Sequence, residues 1–179
     1  CNRSGGCIER SSINFCESIR INEIAANTTK QYIELVNSAD HEVSLAGCRI
    51  ASNRSSLVFL ELPNITLAPQ EYYIAYINET SLLLSKSTTG VVYLLTSDGE
   101  TEVESVTYEE LSVDTSWSYF TDGWKQTYEL TPKMGNVYAQ FAACAAGQER
   151  HLETGRCRTV SVEAVLLDCG EGRERNIQT

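Results

Sequence analysis

The residues from Ile19 to Asn37, IRINEIAANTTKQYIELVN, constrain the fold more than any other stretch. Two runs rich in β-branched and aromatic residues, Ile19–Ala25 and Gln31–Val36, flank a polar Asn-Thr-Thr-Lys break. That is the pattern of two strands joined by a short turn. The second run alternates, with Ile33 and Leu35 on one face and Tyr32, Glu34 and Val36 on the other. Period-2 alternation marks a strand with one face on a core. It predicts that Ile33 and Leu35 point inward, and that Glu34 can be removed at far less cost than Leu35.

Downstream residues to about Asn136 read as further strands covering that core. In HEVSLAGCRIAS, Val43 and Leu45 alternate before Gly47 breaks the run and Ile50 resumes it, so Gly47 marks a bend or bulge. SSLVFLELP, ITLAPQ and EYYIAYI follow, separated by Pro63-Asn64 and by Ala68-Pro69-Gln70-Glu71. Turn signals at this spacing belong to an antiparallel sandwich. SLLLSKS at 81–87 is either one helical turn or a loop. GVVYLLTSDGETEVESVTY predicts a hairpin of about Val91–Thr96 and Thr101–Tyr108, with Gly99 where the turn needs positive φ.

The return strand is acidic: alternation puts Glu100, Glu102 and Glu104 on one face, and seven acidic residues with no basic one lie between Asp98 and Asp114. Carboxylates supply the oxygen ligands that calcium prefers, which makes Asp98, Glu100, Glu102 and Glu104 weak calcium candidates. The favoured reading is a solvated face that discourages edge-to-edge pairing, since no D-x-D-x-D-G loop is present. Trp117 and Trp124 close the core of the β domain, with aromatic carbohydrate recognition as the alternative.

Charge and cysteine usage bound the function. A net charge of −10 over 179 residues disfavours phosphate backbones, which are bound through Lys and Arg displacing counterions, so no nucleic acid partner is expected. No apolar run approaches the length of a membrane-spanning helix. A first residue that is cysteine suggests a processed form or a piece of a longer chain. Any membrane attachment would come through parts not included in this sequence. Seven cysteines without a CxxC pair argue for disulfides in an oxidising compartment, extracellular or at a cell surface, rather than for a zinc site. Residues 1–18 form a cross-linked, irregular lead-in, with two disulfides expected among Cys1, Cys7, Cys16 and Cys48. The competing reading lipidates Cys1.

Several blocks together resemble a known family. INEI at 21–24, YIELVN at 32–37, VSLAGCRI at 43–50, LAPQEYYIAY at 67–76, VYLLTSDGE at 92–100, SW at 116–117 and TPKMGN at 131–136 after Trp124 are similar to the successive blocks of the lamin tail domain. The resemblance covers about 19–136. It implies an immunoglobulin-like antiparallel β-sandwich of the kind found in nuclear lamins and secreted bacterial proteins, acting as a non-catalytic module. Cys48 stands where the bacterial pattern usually carries an aromatic residue, which implies a cross-link to Cys16 in place of ring packing.

After a linker at 137–143 the composition shifts. Cys144 to Cys157, CAAGQERHLETGRC, is echoed by CGEGRERNIQT from Cys169 to Thr179, in register at Cys, Gly, Glu-Arg and Thr. A unit this short needs its own cross-link, so Cys144 should pair with Cys157. The second copy stops before its closing cysteine, and this accounts for the odd count. The pattern resembles repeats that follow lamin tail domains in some bacterial surface proteins. The expected organisation is therefore a lead-in, a sandwich and a small disulfide-linked repeat appendage over 144–179.

No catalytic, cofactor-binding or firm metal residue is assigned. His41 and His151 lack metal or acid/base context, and G-x-S-x-G and G-x-x-x-x-G-K-[ST] are absent. Carboxylate pairs such as Glu23 with Glu34 are read as solvated surface groups. Five of ten asparagines, Asn2, Asn27, Asn53, Asn64 and Asn78, begin N-x-[ST], through loop composition or glycosylation. The leading reading is an extracellular module binding an unknown protein or surface glycan without a cofactor, displayed on a disulfide-repeat stalk. Alternatives are a targeting domain for a nuclease or phosphoesterase elsewhere in the parent chain and a calcium-dependent adhesion domain. Binding is expected on loops, first Ala26–Lys30 and Asn53–Ser56.

Overall fold

A computed structural model describes residues 15–54, 58–151 and 155–159. After a 3-10 turn at Phe15–Ser18, the strands in chain order are β1 (Ile19–Ala25), β2 (Tyr32–Asn37), β3 (Val43–Ser44), β4 (Arg49–Ser52), β5 (Leu60–Glu61), β6 (Thr66–Leu67) and β7 (Tyr72–Tyr76). A 3-10 turn, Ile77–Glu79, leads on to β8 (Gly90–Leu95), β9 (Glu102–Tyr108), β10 (Ser116–Phe120), β11 (Gly123–Thr127), β12 (Gln148–Arg150) and β13 (Cys157–Thr159). The chain divides into two compact units, Cys1–Gln140 and Phe141–Thr179.

The first unit is an antiparallel β-sandwich. One sheet has the order β11-β10-β1-β2-β7, the other β5-β4-β8-β9, and β3 pairs with β6. Alternate residues of each sheet point to one shared core: Ile24, Ile33, Leu35 and Ala75 from the first, Ile50, Val92, Leu94 and Val106 from the second. Ile33 and Leu35 are fully buried, as the alternation requires. The Cys16–Cys48 disulfide, with a Cα separation of 5.7 Å, ties the turn before β1 to the start of β4, and both cysteines are buried. The leucine run at 82–84 forms no helical turn; it is a loop that buries Leu82 and Leu84 and exposes Leu83.

Two sequence expectations are corrected. The second face of β2 is not solvated: Tyr32 and Glu34 are buried on it, and so is Glu23, the register partner of Glu34 on β1. A segment from Tyr128 to Ala139 straps across this region. Its backbone N–H groups at Thr131 and Lys133 reach Glu23 and Glu34, and Asn136 Nδ2 donates to the carbonyls of Asn22 at 3.0 Å and Tyr119 at 2.9 Å. A strand buried on both faces needs polar partners for its polar residues, and the strap supplies them. The glutamates of β9 also do not share a face. The β8–β9 register shifts between Leu94 and Leu95, so Glu104 pairs with Leu94 and Glu102 with Leu95, on opposite sides of the sheet. A bulge inserts one residue and reverses the alternation.

The second unit holds the β12–β13 hairpin, closed by a Cys144–Cys157 disulfide with a Cα separation of 5.6 Å. Gly147, at φ +81°, makes the turn into β12. Arg150 lies over the Phe141 ring and donates to the Gly155 carbonyl. The cysteine, glycine and arginine that recur at 169, 172 and 175 are thus the residues that close, turn and brace this hairpin. The second copy lies outside the described residues.

Candidate functional site

At one end of the sandwich the loop between β1 and β2 meets the 3-10 turn after β7, and the two are sewn together. Gln31 N–H donates to Asn78 Oδ1 at 2.5 Å, Ile77 N–H donates to the Gln31 carbonyl at 2.9 Å, and the Gln31 side chain reaches back to the Ala26 carbonyl. Thr28 Oγ1 closes the turn on the Lys30 carbonyl at 2.8 Å. Between the loops lies a cavity of about 260 Å³ lined by Thr29, Lys30, Tyr76, Asn78 and Glu79. Tyr76 is 41% exposed, and its ring is held edge-on against Tyr32 at a centroid distance of 6.4 Å. The local sequence explains this placement. Ala75 and Ile77 face the core, so the alternation of β7 turns the intervening tyrosine outward.

Behind that wall lies the acidic pair. Glu23 Oε1 accepts from Ser116 Oγ at 2.5 Å and from Thr131 N at 3.4 Å. Glu34 accepts from Asn22 Nδ2 at 2.8 Å and from Lys133 N at 2.5 Å. Among the described residues no cation pairs with either carboxyl. Burial pushes Glu34 up to about 7, with the neighbouring Glu23 adding to the rise and the Lys133 and Asn22 donors opposing it. Burial also raises Glu23 against the hydrogen bonds of Ser116 and its neighbours. Glu23 Oε2 and the Tyr32 hydroxyl adjoin without a hydrogen bond of normal geometry. Burial, then the Glu23 charge, holds Tyr32 in its neutral phenol form. The pair is thus built to anchor the strap.

The residues singled out from sequence are scattered. Asp98 is committed to its own turn: Oδ1 accepts from Thr96 Oγ1 at 2.5 Å and from the N–H groups of Glu100 and Thr101 at 2.9 Å, which holds it well below the usual carboxylate range. Gly99 completes that turn at φ +73°. Glu102 accepts from Ser105 Oγ at 2.7 Å. Glu104 is turned inward to accept from Ile21 N–H at 2.8 Å. Among the described residues no three carboxylate, histidine or cysteine side chains gather. Cys1 and Cys7 lie outside the described residues.

Trp117 and Trp124 are half-buried against the core cluster. Asn27 spends its Nδ2 on the Leu111 carbonyl, whereas Asn64 lies exposed. The Ala26–Lys30 loop supplies part of the cavity; of the Asn53–Ser56 loop only Asn53 and Arg54 are described. Tyr76 and Glu79 escaped the sequence reading, and Asn78 entered it only as an N-x-[ST] asparagine. Their signal was the outward position of Tyr76 in EYYIAYI, directly before the Ile77–Glu79 turn.

Two packed antiparallel sheets, an inter-sheet core and loops gathered at the ends define an immunoglobulin-like β-sandwich module. The family model described as Lamin Tail Domain matches residues 16–110, and the chain belongs to that family. The chain matches no curated protein. The strap at 128–139 lies beyond the matched residues. No helix among the described residues is long and apolar enough to cross a membrane.

Proposed function

We propose that this chain is a non-catalytic extracellular or cell-surface module that binds through the loop end of its sandwich and is carried on disulfide-linked repeats. The observation that carries the reading is the cavity between the β1–β2 loop and the turn after β7. Its frame is stitched by hydrogen bonds, while the exposed Lys30 and Glu79 line it and form no ion pair among the described residues. A frame already held in place suits binding, because little ordering entropy is spent on it when a ligand arrives. The disulfides Cys16–Cys48 and Cys144–Cys157 favour an oxidising compartment.

Thiol labelling of the chain in its source cells, before and after lysis, tests the reading. A chain that is cleaved by protease added outside intact cells, with all four of these cysteines resistant to alkylation until reduced, is the expected result. Free thiols at these positions in a protease-protected pool would overturn it.

A further inference from the structure

The cavity's chemistry narrows its ligand class, and this step rests on the binding-module reading above. We infer that the cavity takes a neutral saccharide. Its lining combines one aromatic ring, one cation, one carboxylate, one amide and one hydroxyl: Tyr76, Lys30, Glu79, Asn78 and Thr29. Lys30 and Glu79 cancel in charge, so neither an anion nor a cation is selected. An apolar ligand would strand the polar groups without partners, which is costly wherever water is displaced. Sugar hydroxyls each donate and accept. They can satisfy the Glu79 carboxylate, the Lys30 ammonium and the Asn78 amide donors together, since Asn78 Oδ1 is already occupied by Gln31 N–H.

The ring supplies the remaining requirement, an apolar surface for the C–H face of a pyranose. Tyr76 offers that surface with its orientation fixed by Tyr32. At about 260 Å³ the cavity sits below the usual range for drug-sized ligands, a volume suited to one sugar ring and a substituent. The tryptophans do not compete for this role, because both pack against the core.

Amide NMR titration of the whole chain with the methyl glycosides of glucose, galactose, mannose and N-acetylglucosamine, and separately with glycine as a zwitterion, provides the test. One glycoside should move the amides of Thr29–Gln31 and Asn78–Thr80 saturably, with a dissociation constant on the order of 1 mM. Tyr76→Ala should weaken that response at least about ten-fold. Lys30→Ala, on an exposed loop, should weaken it too and guards against a folding defect in the first variant. If no glycoside moves these amides, if glycine alone does, or if both variants respond like the parent, the saccharide assignment is overturned. Surface exposure and oxidised cysteines measured in cells would then still leave a module whose ligand engages another surface.

Discussion

Glu34 is a side chain that alternation assigns to water and that the fold encloses completely. Removing it would strand the Lys133 N–H and leave the Asn22 amide only its longer bond to Asn136 Oδ1 at 3.3 Å, and an unsatisfied buried donor costs about 1–3 kcal/mol. Glu34→Ala is therefore expected to destabilise by about 2–4 kcal/mol, comparable to the roughly 2–5 kcal/mol for Leu35→Ala in the core. Urea unfolding of both variants decides it; a Glu34→Ala loss of only a few tenths would mean that the strap is not anchored there. The strap carries a second testable position. Met134 N–H bonds the Thr131 carbonyl at 3.0 Å around Pro132 and Lys133, and Lys133 sits at φ +64°, where a type II turn favours glycine. Lys133→Gly should relieve strain in excess of its unfolded-state entropy cost and stabilise by about 0.5–1 kcal/mol in the same assay.

Elements were legible wherever side-chain period and turn chemistry agreed. β1 runs from Ile19 to Ala25 as read from its β-branched content, and the Ser97–Glu100 turn has its glycine at positive φ. Period-2 alternation says which residues share a face, but not whether that face is wet, so the cover over Glu23 and Glu34 was invisible until the strap was placed. The bulge that turns Glu104 inward was hidden for a related reason: one extra residue leaves the local composition unchanged while it reverses the pattern. The cavity was half legible, because each loop announces itself by composition whereas nothing in the local sequence says that the two meet. The β12–β13 hairpin illustrates an element that depends on its cross-link. Three-residue strands bury little, and a bond closing a loop of this length contributes about 3 kcal/mol in the chain-entropy model. Replacing Cys144 and Cys157 by serine should abolish slow amide exchange at 148–150 and 157–159 while leaving exchange in β1 and β2 unchanged. Retained protection in the hairpin would show that it stands without the disulfide.

For the whole molecule, pH is the variable that reads several of these features at once. Glu34 moves from 4.5 in the unfolded chain to about 7 in the folded one, so the folded state binds its proton more tightly. The stability it contributes is full below about 4.5 and is lost as pH rises through about 7, a span on the order of 3 kcal/mol. Glu23, also raised by burial, adds in the same direction. A net charge of −10 adds self-repulsion that grows on the alkaline side. Asp98 works the other way: its folded pKa is depressed by the turn it caps, so its contribution is present above 3.8 and disappears as pH falls. Stability should therefore peak near the ordinary carboxylate range, at about 4 to 4.5, and decline from there to about 7. Salt separates the two causes of the alkaline decline, since surface repulsion is screened within about 10 Å at 0.1 M ionic strength while a buried carboxyl is screened much less. Denaturant midpoints measured across this range at low and high salt should keep most of the decline in the parent and flatten it in Glu34→Gln, which cannot ionise. Stability that stays level or climbs from about pH 5 to about pH 7 in the parent would show that the buried pair holds no proton, and that its environment is more polar than its burial implies.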